Sequence, residues 1–131
     1  MDPHAIPLAA LREVAARHPA LRLLLVHGSR ARGDAHAASD WDLGYLADDT
    51  LDVGLLHADL AQALGTDDVD LVGLARASAL LRFEAARNGR VVVADPPEVH
   101  ERFVLAATLF WCDAGPVIER AQAAVLASLD R

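Results

Sequence analysis

The sequence predicts an α/β (α+β) domain, a small mixed four-stranded sheet backed by helices. Three observations predict it. Helical and strand periodicities follow one another in the order helix, strand, strand, helix, strand, helix, strand, helix, helix. The first two strands are joined by a glycine-bearing turn instead of a crossover helix. The length of 131 residues suits one domain, 1–131, able to bury about two thirds of the surface its unfolded chain exposes. The adjacent strand pair and the absence of any Gly-x-Gly-x-x-Gly disfavour a doubly wound dinucleotide fold.

Residues 3 to 18 carry Leu8, Leu11 and Ala15 at helical spacing with Arg12, Glu13 and Arg17 opposite, and Pro19 stops the helix. Leu21 to Val26 is an apolar run suited to a buried strand. Asp40 to Leu46 alternates as a second strand, so residues 28 to 39 form the turn between them. Asp48, Asp49 and Thr50 offer caps for a helix through Leu56, Leu60 and Leu64, which Gly65 ends. The stretch from Asp68 to Leu74 repeats the period of two, with Asp68, Asp70 and Val72 on one face. Ser78 caps a helix to about Arg87, Asn88-Gly89 stops it, and Val91 to Val93 is the fourth strand. Pro96 and Pro97 open the C-terminal helices, about 97–129, which Gly115-Pro116 divides; the last runs through Ile118, Ala121, Val125 and Leu129. Between Phe103 and Trp111 only Thr108 is polar, more apolar than one buried face requires. Burial between the sheet and the last helix, or against another protein, accounts for that excess.

The net charge is −7, and all twelve basic residues are arginines. That balance argues against a protein that binds a long nucleic-acid backbone through counterion release, and leaves small nucleotides open. No stretch of about 18 apolar residues and no basic-then-apolar leader is present, so the expectation is a cytoplasmic protein without a membrane span. The lone Cys112 forms no internal disulfide and is expected as a small buried hydrophobe. The six histidines lack any His-x-x-x-His spacing, so zinc is not expected; His27 and His36, at and inside the turn, are read as bystanders.

Chemistry concentrates between His27 and Leu43. Gly28 lets a ligand approach the backbone closely, Ser29 adds a hydroxyl, and Arg30 or Arg32 can reach the same phosphates. Alternation along the second strand places Asp40 and Asp42 on one face, with Trp41 and Leu43 on the other. Two carboxylates held that close repel unless a cation lies between them, and hard oxygen ligands favour magnesium, with substrate phosphates completing its shell. Asp70, on the third strand, supplies another carboxylate. A phosphate loop with three carboxylates is the set of parts used for two-metal phosphoryl or nucleotidyl transfer.

Gly28-Ser29, ten residues, then Asp40-Trp41-Asp42, within Gly-Ser-Arg-Ala-Arg-Gly and Ser-Asp-Trp-Asp-Leu, resembles the signature of the polymerase-beta-like nucleotidyltransferases. Within them the chain looks like the minimal nucleotidyltransferase antitoxins of HEPN/MNT toxin–antitoxin pairs, through Val69-Asp70-Leu71-Val72 and the Leu80-Leu81-Arg82-Phe83 helix. The resemblance implies that fold and a nucleotide-transferring enzyme. Gly28, Ser29, Arg32 and Ser39 would bind the nucleotide, Asp40 and Asp42 two magnesium ions, and Asp70 the catalytic ion and acceptor hydroxyl. It also implies ATP as substrate and a HEPN-domain ribonuclease toxin as partner, silenced by transfer of AMP to a tyrosine. Trp41 departs from the aliphatic residue usual between the aspartates, and Asp67 and Asp68 crowd the third carboxylate; Asp70 is chosen because it lies within the strand. Two alternatives stay open: an antitoxin acting by binding alone, and a transferase for a small molecule such as an aminoglycoside.

Overall fold

A computed structural model describes residues 5–33 and 40–129, with 114–129 described as backbone alone. The elements run α1 (Leu8–Ala16), β1 (Leu21–His27), α2 (Gly28–Arg32), β2 (Trp41–Ala47), α3 (Val53–Leu64), β3 (Val69–Gly73), a 3-10 turn (Leu74–Arg76), α4 (Ala79–Asn88), β4 (Arg90–Ala94) and α5 (Glu98–Leu129). The four strands form one mixed sheet in the order β3-β2-β1-β4. β1 lies antiparallel to both β2 and β4, while β2 and β3 run parallel through the α3 crossover. This is the expected small mixed sheet.

Side chains alternate across the sheet and so divide the core in two. Leu24 and Val26 of β1, with Trp41, Leu43 and Val69, point to the face covered by α1 and α3, where Leu11, Val14, Leu56 and Leu60 meet them. Leu23 and Leu25 point the other way, onto Leu74, Ala85 of α4, and Phe103 and Ala107 of α5. A register shift between Leu21 and Leu23 puts Leu21 with the first cluster despite its odd number. Two polar ties brace the first face. His18 and Asp59 pair at 2.8 Å between the end of α1 and α3, and the His57 ring lies 2.8 Å from the Val69 carbonyl of the edge strand.

Five expectations are corrected. Residues 28–32 are a short helix, not part of a turn, because Gly28 takes φ 68° and turns the chain directly from β1 into α2. The cap of α3 is Asp52, whose carboxylate accepts from the Leu55 amide, instead of Asp48, Asp49 or Thr50. Gly115-Pro116 does not divide the C-terminal helix: α5 is continuous over 32 residues. A proline deletes one backbone donor and favours a kink, yet a long helix with many other hydrogen bonds carries through it. Consequently no separate last helix folds back to cover residues 103–111. Leu105, Leu109 and Phe110 stay exposed (61%, 57% and 43%) while Phe103 and Ala107 are buried. Cys112 is exposed too, not a buried hydrophobe.

Candidate active site

Where β1 ends, the α4-facing side of the sheet changes from apolar to polar. Leu23 and Leu25 are followed at the same parity by His27, which pairs in register with Asp42, which in turn pairs with Asp70. Adjacent strands are about 4.8 Å apart, so these three side chains form one row across β1, β2 and β3. They line a pocket of about 290 Å³ with Gly28, Arg32, Val72, Leu81 and Glu84. Asp70 also lines a neighbouring hollow of about 200 Å³ with Asp40, Asp67 and Asp68. Asp70 thus links the two hollows, with Asp42 on one side and Asp40 on the other.

Gly28 holds its place through space as well as through its φ. A Cβ there would overlap the Asp42 carboxylate, so any other residue would push the loop off the acid or turn the acid out of the row. The start of α2 therefore rests directly on Asp42. On the far side of α2, the Arg30 guanidinium lies 4.3 Å from the centre of the Trp41 ring, both residues buried. This gives the bulky residue between the aspartates a purpose: Trp41 is the platform that clamps α2 to β2. Of the two arginines considered for phosphate, Arg30 is packed on that platform, and Arg32 is exposed at the pocket with Asp42 and Asp70.

Electrostatics marks the row. Burial raises the Asp42 carboxyl above its ordinary value; His27 opposes that, Asp70 and Asp40 push it further up, and Arg32 lowers it. Burial lowers the His27 ring below its ordinary value, against Asp42, Asp70 and a hydrogen bond with the Leu43 backbone, which raise it. The acids repel one another in the absence of a counterion.

Of the residues singled out in the sequence, Gly28, Arg32, Asp42 and Asp70 gather at one pocket. Asp40 sits next door, and Ser29 is half-buried in α2. Ser39 and His36 lie outside the described residues. His27, read as a bystander, is instead a member of the row; the parity it shares with Leu23 and Leu25 was the available signal. A larger hollow of about 580 Å³ lies beyond α2, lined by Ile6, Arg30, Arg90 and Val91 among others. It shares only Arg32 with the carboxylate pocket and has no carboxylate among its described lining, so the chemistry is assigned to the smaller one.

Comparison with known proteins identifies the family and the fold. The family model described as "Polymerase beta, Nucleotidyltransferase" matches residues 9–98. The chain is 30% identical over 112 residues to the protein adenylyltransferase MntA of Aphanizomenon flos-aquae, covering 73% of this chain and 75% of that one. It is 40% identical over 75 residues to the MntA of Shewanella oneidensis, covering 55% of this chain and only 53% of that relative. Among solved structures it is similar to a toxin–antitoxin complex with AMP-PNP, at TM-score 0.71 and 27% identity, over 89% of this chain and 99% of that chain. With the motif, the fold and a likeness over most of the chain in agreement, the chain belongs to the polymerase beta nucleotidyltransferase family and groups with its minimal, MntA-type members.

Proposed function

We propose that this nucleotidyltransferase is a magnesium-dependent antitoxin that transfers AMP from ATP to a tyrosine of a HEPN-domain ribonuclease toxin and so neutralises it. The observation that carries the reading is the Asp42–Asp70 row resting on Gly28, in a chain 30% identical to a protein adenylyltransferase. The likeness to a toxin–antitoxin complex that holds an ATP analogue supports both the nucleotide and the partner.

The donor set fits magnesium. Asp42, Asp70 and Asp40 present hard oxygens whose mutual repulsion a divalent cation relieves. Among the described residues no three His, Cys, Asp or Glu side chains converge closely enough to hold an ion alone. That suits a cation shared with substrate phosphates, as magnesium commonly is. When bound, the ions supply charge for the displaced pyrophosphate and lower the pKa of the attacking hydroxyl.

The chain's own residues divide the remaining work. Gly28 and Ser29 open α2, where the first amides of a helix lack intrahelical acceptors and suit phosphate oxygens. Arg32 adds charge at the pocket mouth. Asp42, in one hollow, and Asp40, in the other, would hold the cations. Asp70, common to both hollows, orients the acceptor hydroxyl and takes its proton as that oxygen attacks the α-phosphorus and pyrophosphate leaves. Ser39 completes the nucleotide set by its place in the motif. The exposed Leu105 and Leu109 of α5, on the face opposite the buried Phe103 and Ala107, give a macromolecular partner an apolar surface to cover. No described helix is long and apolar enough to cross a membrane.

Incubation with the product of the neighbouring reading frame and ATP labelled at either the α- or the γ-phosphate tests this. Label from the α position, and none from the γ position, is expected on a tyrosine of the partner. γ-label on the partner, or no label with magnesium present, contradicts adenylyl transfer.

A further inference from the structure

His27 is the member of the row that the transfer scheme leaves unused. It is 4% exposed, pairs with Asp42, and lines the pocket with both carboxylates. Its Nε2 is buried and has no hydrogen-bond partner. The two preceding residues of this parity, Leu23 and Leu25, are fully buried leucines. An apolar residue would continue that packing at less cost than a buried, unsatisfied nitrogen. The polar ring therefore needs a reason, and the pocket beside it offers one.

The chemistry of the free nitrogen follows from its surroundings. Among the described residues no group hydrogen-bonds Nε2, so nothing there holds a second ring proton. The hydrogen bond with the Leu43 backbone favours the protonated ring, so in it the ring donates. A neutral imidazole has one N–H, and with that N–H given to the backbone, Nε2 presents a lone pair. A lone pair beside two carboxylates is unfavourable until a hydrogen-bearing group enters among them. Water bound to a divalent cation is such a group, strongly polarised and brought there by the carboxylates themselves.

Resting on the magnesium reading above, we propose that His27 is a positioning residue: its Nε2 accepts a hydrogen bond from a water in the shell of the cation held by Asp42 and Asp70. The ring fixes the orientation of that shell and, through its backbone bond to Leu43, ties the cation to the middle of the sheet. Groups hydrogen-bonded around a metal's direct ligands typically change metal affinity by about 10–100-fold when removed.

Two substitutions separate this role from packing. Gln in His27→Gln carries both an amide donor for the backbone and a carbonyl acceptor for water, while Phe in His27→Phe fills the space with neither. The full chain is titrated with manganese and a non-hydrolysable ATP analogue, and bound manganese is read by electron paramagnetic resonance. The wild type and Asp42→Asn serve as references. Expected is a loss of affinity of about 10–100-fold in His27→Phe, with His27→Gln staying close to wild type. Unchanged affinity in His27→Phe overturns the proposal, and so does an equal loss in both variants, which would make the ring a packing element. Failure of the wild type to bind manganese would instead remove the magnesium reading itself, and this inference with it.

Discussion

The two faces of the same sheet have been put to different uses, although consecutive residues of the same strands build both. On the α1 and α3 side, Leu24, Val26, Trp41, Leu43 and Val69 form a continuous apolar layer. On the α4 side, the layer of Leu23 and Leu25 gives way to His27, Asp42 and Asp70. A residue and its neighbour in β2 thus face different surroundings: Leu43 is fully buried in the apolar layer, and Asp42 lines the polar pocket among repelling acids. The lesson is that alternation with a period of two lets a small protein place repelling charges one residue from its core without wetting that core.

Substitutions in β2 and α2 separate the two uses of the sheet. The largest effect is expected for Asp42→Asn, which should abolish AMP transfer while the melting temperature holds or rises, since it removes one of several repelling acids. A large fall in melting temperature, read by calorimetry, would place Asp42 with the structural face. Its neighbour should behave oppositely. Leu43→Ala, at a fully buried position, should cost about 2–5 kcal/mol of unfolding free energy in urea titration, with the carboxylates unaltered. A smaller effect is expected where the two faces are stitched together. Arg30→Met removes the cation above Trp41 and should cost ~0.5–2 kcal/mol; no change in the denaturation midpoint would mean that the stacking does not hold α2 down.

The smallest effect is in the pH dependence. Asp42 has a folded pKa raised above the ordinary 3.8, so over the window from that value up to the raised one the native state holds the extra proton. Its contribution to stability therefore falls as pH rises through that window. The stability advantage of Asp42→Asn should be present at neutral pH and shrink as the pH is lowered from the raised value to the ordinary 3.8, below which it is gone. A gap between the two melting curves that widens in acid would reverse the sign and contradict the assigned repulsion.

How far the sequence reached differs between these faces. The strands were legible because Asp40 to Leu46 and the Asp68 stretch carry a period of two, while Leu21 to Val26 and Val91 to Val93 are short apolar runs bounded by stop signals. The helix α2 was not, since five residues beginning Gly-Ser have no room for a helical period and read equally well as a turn. Continuity of α5 was hidden by Gly115-Pro116, whose local preference is to break a helix and which the rest of the helix overrides. The motif brought Gly28, Asp42 and Asp70 forward, but His27 depends on two things the motif omits. One is the register that sets it opposite Asp42; the other is the cover that α4 lays over that end of β1. Arg30 shows the same limit, because a buried arginine is expected only once Trp41 is known to lie beneath it.

In the proposed function the polar end of the α4-side face is a nucleotide site completed by a divalent cation. Calorimetric titration of the wild-type chain with ATP, in magnesium and then in EDTA, tests it most directly. Because the triphosphate brings negative charge toward Asp40, Asp42 and Asp70, tight binding is predicted with magnesium and weak binding without it. Equal affinities in the two buffers would contradict the assignment.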